Sequence, residues 1–400
     1  MTPFRSVESL IEALYRTGGG VAAPKTFGRF VLAADVASVG VLLRNTDVFH
    51  KQFGLMEMMG KSRFNTEGDL WQQRRGLTQP QYNAAAAPAG AARVIEIFEK
   101  TLDEVEAAGI SAGAELGVAL GEATLVATTR VFLSALQADQ DVGELIAGFN
   151  ELRQLMRAMQ TRSLCDTDEF DITDIAQRYA GLRARTWQYA AAHPQLMDLL
   201  QRFARQHGLK DGFNPMEEFT GNFFAGIETS SVTLSWAMAL LGAFPKLQEE
   251  LREEATGSAD RTGLETFLNE TLRFFPPIPM LTRVAAEDYE SPELSVPKGR
   301  HVLLSVVGVH RDPDHWKEPH RFDPRRQAFR ERSYNRRAFI PFLYGPRVCG
   351  GAALARIEIT EGLVALLKRY RFSRTSEPLP YQYAVAMRPM LKNRLLAERL

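Results

Sequence analysis

The hydrophobic pattern divides the chain into a long helical stretch and shorter extended ones. From about Trp71 to about Leu272, Ala, Leu, Glu and Arg dominate, and the loops between apolar runs are short, which predicts a series of helices. Upstream, residues 26–45 change from aromatic and β-branched residues to apolar positions at helical spacing, which predicts a strand followed by a helix.

The helical pattern ends at residues 273–285, where three prolines in "RFFPPIPMLTRVA" require extended backbone. Residues 296–316 then predict turn, strand and turn, and a last helix is predicted from about Ala353 to Arg369. We therefore expect one domain, residues 1–400, that is mainly α with a smaller β portion. The predicted β-rich parts are about residues 25–50, 278–310 and 375–400, and the helical parts are about 70–275 and 350–370.

Composition and charge exclude several classes of protein. The chain has 400 residues and is 45% hydrophobic, enough for a sizeable core. Lys plus Arg and Asp plus Glu both number 48, so nothing global predicts a nucleic-acid partner. With cysteines only at Cys165 and Cys349, a disulfide framework is not expected, and a reducing, cytoplasmic location is the simpler prediction.

No targeting or membrane segment is predicted. The first twenty residues carry charges throughout and have no long apolar core, so they predict neither a signal peptide nor a membrane anchor. The long apolar run at residues 223–244 contains Glu228 and a cluster of hydroxyl groups, which favours a buried helix over a bilayer span.

Cys349 stands in the glycine-bounded turn "PFLYGPRVCGG", just before the last predicted helix. Free N–H groups and the positive end of a helix dipole favour a thiolate there, which would be a nucleophile or a metal ligand. No His lies close in sequence to act as a base, and a zinc site needs several Cys or His ligands. A single thiolate suits a metal already held by other ligands, above all haem iron, while a buried structural cysteine remains an alternative.

The residues around this cysteine carry a family resemblance. Phe342, Gly345, Arg347, Cys349 and Gly351 fit F-x-x-G-x-R-x-C-x-G, which resembles the haem-binding loop of the cytochrome P450 family. The resemblance implies the cytochrome P450 fold, with haem b (Fe-protoporphyrin IX) between a long distal helix and this proximal loop. Cys349 would be the axial iron ligand, the glycines would let the backbone pass under the porphyrin, the Phe would pack beside the sulfur, and the Arg would meet a propionate.

One position departs from the family pattern. Gly350 follows the cysteine where the family usually has a larger apolar residue. The departure affects the expected shape of the loop and the shielding of the thiolate, but not the expected ligation.

Three further patterns agree with the resemblance. Glu270 and Arg273, at i and i+3, form a solvated surface pair in isolation, but they resemble the family's E-x-x-R, which a later Arg completes. Arg326 is the expected third member, with Arg325 as the alternative. Trp71, Arg75 and Arg283 match positions that bind the haem propionates, which need charged partners in an apolar pocket.

The segment "FFAGIETSSVTLSW" places Ala225, Gly226, Glu228 and Thr229 inside an apolar helix. By itself it predicts a Thr bonded to the i−4 carbonyl and a Glu in a salt bridge. It also resembles the family's (A/G)-G-x-(D/E)-T, where the helix loosens over the iron to admit oxygen. The resemblance then implies that Thr229 steadies oxygen and its water, and that Glu228 links proton delivery to solvent.

The function implied is a soluble, bacterial-type haem-thiolate monooxygenase, cytoplasmic and monomeric. It would insert one oxygen atom of O2 into a lipophilic small molecule, by hydroxylation or epoxidation, in secondary metabolism. The basic segment at residues 325–339 would dock a separate ferredoxin or flavodoxin as electron donor. The alternatives are a peroxide-driven or rearranging haem-thiolate enzyme, a non-catalytic haem sensor and, last, a zinc or cysteine hydrolase.

A flexible apolar cavity is expected on the distal side, with no charged anchor apart from Lys61 and Arg63. Such a cavity favours a terpenoid, fatty acid or polyketide, although a Met stripe also occurs in ordinary cores. The expected lining residues are Met56, Met58, Met59, Ile278, Met280, Leu281, Val385 and Met387.

Overall fold

The computed structural model describes most of the chain. It covers residues 6–17, 30–51, 60–135, 142–165, 173–192, 194, 197–198, 201, 205, 214–257, 260–375, 379–384 and 386–400. The helices are α1 (Val7–Thr17), α2 (Val36–Arg44), α3 (Gly68–Ala85), α4 (Pro88–Ala107), α5 (Gly113–Ala135), α6 (Gly143–Cys165), α7 (Thr173–Ala191), α8 (Pro215–Leu241), α9 (Pro245–Gly257), α10 (Thr262–Phe274), α11 (Val306–Val309), α12 (Gln327–Arg330) and α13 (Ala352–Arg369).

The strands are short and come from both ends of the chain. They are β1 (Val31–Ala33), β2 (Phe49–His50), β3 (Met280–Ala285), β4 (Tyr289–Glu290), β5 (Ser295–Val296), β6 (His301–Ser305), β7 (Tyr370–Arg374), β8 (Tyr381–Tyr383), β9 (Met387–Pro389) and β10 (Leu395–Arg399). The largest sheet has four strands in the order β1-β6-β3-β2. β1 runs parallel to β6, and β3 runs antiparallel to β6 and β2. The other pairs, β4-β5, β8-β9 and β7-β10, are antiparallel.

Side-chain caps fix where two of the helices begin. Asp35 Oδ1 accepts from the backbone N–H groups of Ala37 and Ser38 at 2.9 and 2.8 Å, which satisfies the free donors at the start of α2. Asn214 Oδ1 accepts from the Met216 N–H at 2.9 Å at the start of α8.

Helix α8 is the central helix of the fold. It packs against α5 on one side and α13 on another, and Ile227, Trp236 and Leu241 on it are buried. Residues 113–135 and 216–241 are long and apolar enough to cross a membrane, but 72% and 83% of their most apolar windows lie buried inside the protein. Burial of this extent is typical of core helices, as the sequence predicted for residues 223–244.

The predicted fold class is confirmed: the protein is mainly α with a smaller β portion. The last predicted helix begins one residue earlier than expected, at Ala352, and ends at Arg369 as predicted.

Candidate functional site

Cys349 lies in a tight loop directly before α13. Its backbone N–H donates to the Phe342 carbonyl at 2.9 Å, which closes the loop. Gly345 has a φ of +80°, and a Cβ atom there would lie 2.7 Å from the Leu43 carbonyl oxygen, so only glycine fits without strain. Gly351 is the N-cap of α13, and a Cβ atom on it would meet none of the described atoms within 4 Å. The two predicted loop glycines are therefore not equivalent.

The Cys349 side chain is exposed, yet desolvation by the surrounding protein raises the pKa of its thiol. A side chain that is both accessible and desolvated lies in a recess rather than on an open surface. The Gly351 N–H and the charges of Arg63 and Lys51 lower the thiol pKa, but by less. The helix end therefore favours the thiolate, as expected, but desolvation outweighs this effect and leaves the pKa of the free thiol raised. A coordinated metal ion deprotonates a thiol outright.

Arg347 is buried beside the loop and has an unsatisfied donor. Its Nη2 donates to the Thr66 carbonyl at 2.5 Å and lies 3.2 Å from the Glu67 carboxylate. Its guanidinium carbon lies 4.4 Å from the centre of the Trp71 ring. The buried Nε finds no hydrogen-bond partner among the described residues. A buried, unpaired donor on a cation favours an anionic group at this position.

Two more cations lie near Glu67. Arg283 is buried, donates to the neighbouring Thr282 carbonyl at 2.8 Å, and has a pKa that desolvation lowers to about 10. Lys51 donates from its backbone N–H to Glu67 at 2.7 Å and from Nζ to the Phe64 carbonyl at 2.9 Å. Desolvation, then the charges of nearby arginines, lower the Lys51 pKa well below its usual value. Sequence reasoning missed Lys51 and Glu67, because neither belongs to a motif.

This cationic cluster, which we define as Lys51, Arg283 and Arg347 around Glu67, fits the haem that the resemblance implies. Desolvation, and to a lesser extent the like charges, lower the pKa values of these three groups, so additional anions would stabilise the protonated forms. Propionate carboxylates are anions of the right kind, since bidentate guanidinium–carboxylate pairs are strong. The recessed thiol of Cys349 would supply the metal ligand.

Helix α3 places its neighbouring arginines on different sides. Arg75, the predicted propionate ligand, is exposed, and its guanidinium carbon lies 5.5 Å from the centre of the half-buried Trp71 ring. Arg74 is buried and pairs with the buried Glu218 of α8 at 2.8 Å. Nothing in the helical pattern distinguishes Arg74 as the interior arginine, because both arginines fit that pattern.

On α8, the residues expected above the iron form one accessible face. Ala225, Gly226 and Thr229 are partly exposed, whereas Ile227 and Glu228 between them are fully buried. Thr229 Oγ1 lies 3.4 Å from the Ala225 carbonyl, a long contact that leaves the hydroxyl weakly held. The back-bonding geometry predicted from the residues alone is thus present, but loosely.

Glu228 points away from that face into an ion cluster. Its Oε1 lies 3.4 Å from Arg153 Nη1 and 3.4 Å from Arg388 Nε, while Oε2 has no partner among the described residues. Both arginine side chains are partly exposed, at 27% and 22%. The cluster therefore connects a buried carboxylate to the surface.

Glu358 is a buried carboxyl that sequence reasoning missed. It lies on α13, and its Oε2 accepts from the Ser230 hydroxyl of α8 at 2.5 Å. Burial raises the pKa of Glu358 to about 8. The contact joins the helix that follows Cys349 to the helix that carries Thr229. The only signal in the sequence is an acidic residue among apolar ones in the last helix.

Glu270 accepts from two arginines in a fully buried network. Arg273 donates to its two carboxylate oxygens at 2.7 and 2.8 Å, and Arg326 does so at 2.8 and 3.1 Å. Arg325 instead points to Glu250 on an exposed surface. The solvated-pair alternative does not describe Glu270 and Arg273, because both are 0% exposed.

Four of the residues expected to line a substrate cavity are described, and they differ in burial. Met280 and Met387 are buried, and the Met387 sulfur accepts from the Tyr15 hydroxyl at 3.1 Å, so both lie in core packing around α1. Ile278 and Leu281 are partly exposed. The remaining residues expected in the lining, Met56, Met58, Met59 and Val385, lie outside the described part of the chain.

Comparison with solved structures identifies the fold class. Two structures of a zebra fish cytochrome P450, one with abiraterone and one with progesterone, match with TM-scores of 0.74 and 0.76. They are 23% and 21% identical to this chain, cover 98% of it, and are themselves covered over 100% and 99% of their length. The fold is therefore that of the cytochromes P450.

A family model described as "Cytochrome P450" matches residues 45–395, so the chain belongs to the cytochrome P450 family. Among relatives, a probable cytochrome P450 6a14 of Drosophila melanogaster is 35% identical over 226 residues, 52% of this chain and 43% of that protein. The cytokinin hydroxylase of Arabidopsis thaliana is 34% identical over 171 residues, 40% of this chain and 33% of that protein. The matches thus span less than half the length of these relatives.

Proposed function

We propose that this protein is a haem-thiolate monooxygenase that inserts one oxygen atom of O2 into a lipophilic small molecule. The observation that carries the proposal is the recessed, accessible Cys349 thiol at the start of α13, in a loop shaped by Gly345 and flanked by a buried arginine with a free donor. Family membership supports it.

Four side chains would hold haem b. Cys349 would bind the iron, and Arg347, Arg283 and Lys51 would bind the propionates. When bound, the haem supplies O2 activation, which a thiolate ligand favours by donating electron density. Trp71 supports the Arg347 guanidinium by a cation–π contact, and the exposed Arg75 would contribute less.

Helix α8 would supply the distal groups. The Thr229 hydroxyl, weakly held by the Ala225 carbonyl, is free to donate to a water or substrate on the accessible face of the helix. Glu228 would move protons between this region and solvent through Arg153 and Arg388, whose side chains reach the surface. Gly226 lets α8 pack close to α5, since a Cβ atom there would lie 3.1 Å from the Phe132 ring.

The substrate proposed is lipophilic and uncharged, handled by hydroxylation or epoxidation in secondary metabolism. We propose an uncharged substrate because the accessible face of α8 carries Ala225, Gly226 and Thr229. The acidic Glu228 is turned away from that face. The zebra fish relatives bind abiraterone or progesterone, and the plant relative is named for hydroxylating cytokinin, which supports small organic substrates.

A soluble ferredoxin or flavodoxin is proposed as electron donor to a cytoplasmic monomer. Exposed arginines precede and follow the Cys349 loop in sequence, and the Arg356 guanidinium carbon lies 5.0 Å from the Phe342 ring within that loop. Val348 within the loop is exposed and offers an apolar contact. Basic surfaces of this kind attract acidic partners. The exposed basic residues are Arg330, Arg332, Arg336, Arg337 and Arg356.

The test is the absorption spectrum of the dithionite-reduced protein with and without carbon monoxide, for wild type and Cys349→Ser. A strongly red-shifted Soret band with CO, lost in the variant, is expected for thiolate ligation. A protein that takes up no haem, or whose CO spectrum resembles that of a His-ligated globin, would contradict the proposal. Turnover with peroxide alone would favour the peroxide-driven alternative.

A further inference from the structure

Arg63 is a buried cation whose guanidinium is held by neutral groups. Its Nη1 donates to Thr78 Oγ1 at 2.9 Å and its Nη2 donates to Gln79 Oε1 at 2.6 Å. The guanidinium carbon also lies 5.8 Å from the centre of the Tyr82 ring. All three partners belong to α3. The Glu218 carboxylate accepts from the backbone N–H of Arg63 but not from its guanidinium, and it pairs with Arg74.

The charge of this guanidinium is therefore uncompensated by any carboxylate that contacts it in the described part of the chain. An isolated buried charge is costly, and burial lowers the pKa of Arg63. A nearby anion would remove most of that cost. Tyr82, then the Cys349 thiolate and Glu218, act to raise the Arg63 pKa again.

Gly350, the residue that departs from the family pattern, is where the guanidinium meets the cysteine loop. A Cβ atom on Gly350 would lie 2.3 Å from Arg63 Nη2, 2.6 Å from its Cζ and 2.8 Å from its Nη1. The guanidinium thus occupies the space that a larger residue after the cysteine would fill. Gln79 closes the arrangement, since its Nε2 donates to the Gly350 carbonyl at 2.9 Å while its Oε1 accepts from Arg63.

We infer that Arg63 is a positioning residue for the cysteine loop: it replaces the missing side chain at Gly350 and holds a fixed positive charge beside the Cys349 ligand. The inference rests on the proposed function, in which Cys349 binds haem iron. A positive charge next to the thiolate stabilises the reduced, less positive iron centre, so Arg63 raises its reduction potential. In this arrangement Arg63 both fills the space beside Gly350 and sets the charge beside Cys349.

The electrostatic test compares the ferric/ferrous reduction potential of the purified holoprotein with that of Arg63→Met, Arg63→Lys and Lys61→Met. Loss of the charge in Arg63→Met should lower the ratio of ferrous to ferric protein at a fixed solution potential by about tenfold. Arg63→Lys should recover part of that shift. Lys61→Met is the matched control, because Lys61 is exposed on the same segment and should leave the ratio unchanged.

The steric test introduces leucine at Gly350 in two backgrounds. Gly350→Leu alone should lower haem retention and Tm, since the guanidinium already fills the space. Gly350→Leu combined with Arg63→Ala should recover both, because the leucine then occupies the vacated volume. The inference is wrong if Arg63→Met leaves the reduction potential unchanged and Gly350→Leu lowers haem retention and Tm equally with and without Arg63→Ala. The proposed function still stands in that case, provided that the CO spectrum is that of a thiolate ligand. If no variant gives a thiolate spectrum, the proposed function itself fails.

Discussion

Arg326 donates to both carboxylate oxygens of Glu270, at 2.8 and 3.1 Å, deep in the protein, while the adjacent Arg325 pairs with Glu250 at the surface. Neighbouring arginines thus hold a buried pair with two contacts and an exposed pair with one. The buried network around Glu270 also holds residues 310–326 against α10, because Arg273 of α10 donates to the His310 and Arg321 carbonyls.

We predict that Arg326→Ala lowers the free energy of unfolding by about 3 kcal/mol or more, because it leaves a buried carboxylate without one of its partners. Arg325→Ala is the matched control and should cost less than about 1 kcal/mol, as an exposed pair does. Urea unfolding followed by tryptophan fluorescence measures both. Equal losses in the two variants would mean that burial does not set the strength of these pairs.

Glu358 should make stability depend on pH. Its pKa in the folded protein is raised to about 8, so the folded state holds the proton while an unfolded carboxyl has lost it. The contribution of Glu358 is therefore fully favourable below the ordinary carboxyl pKa, and it declines as pH rises towards about 8. The slope is at most about 1.4 kcal/mol per pH unit.

Glu358→Gln should remove this decline, because an amide bears no ionisable proton. The measurement is the urea midpoint of wild type and variant between pH 5 and pH 9. As pH rises across that interval, the urea midpoint of wild type should fall relative to that of Glu358→Gln. Parallel curves would show that Glu358 does not titrate in this range.

The two loop glycines should respond differently to alanine. Gly345→Ala places a Cβ atom at a φ of +80° and 2.7 Å from a backbone oxygen, so we expect a loss of about 1–3 kcal/mol in stability and reduced haem retention. Gly351→Ala meets none of the described atoms and should change little. Thermal unfolding with the haem-to-protein absorbance ratio measures both effects, and equally damaging substitutions would contradict the strain argument.

Haem retention should depend more on Arg347 than on Arg75. Arg347 is buried with a free Nε, so Arg347→Ala should weaken haem binding about tenfold or more through loss of charge-assisted hydrogen bonds. Arg75→Ala should have a smaller effect, because Arg75 is exposed. The rate of haem transfer to excess apomyoglobin measures both, and the reverse order would mean that Arg75 contributes more to haem binding than Arg347.

The fold class and the Cys349 loop were readable from the sequence because they depend on local signals: proline and glycine placement, helical periodicity and a motif ending on one cysteine. Outside the Glu270–Arg273–Arg326 network, which a motif indicates, the partners of buried charges were not readable from the sequence. Lys51, Glu67 and Glu358 have no local signature, and the choice between Arg74 and Arg75 is made by the neighbouring helix. Met387 packs in the core around α1, and its position could not be chosen from the sequence, since an apolar stripe predicts contact with some apolar surface but does not say which.

The parallel pairing of β1 with β6 bears on how the chain reaches this structure. Val31 and Val302 are partners although about 270 residues separate them in sequence, so their contact closes a very long loop. The helices between them form from local contacts and should condense first, which leaves the four-stranded sheet as a late step in folding. During synthesis, β1 emerges long before β6 has been made. The apolar β1 segment therefore stays unpaired until most of the protein has been synthesised.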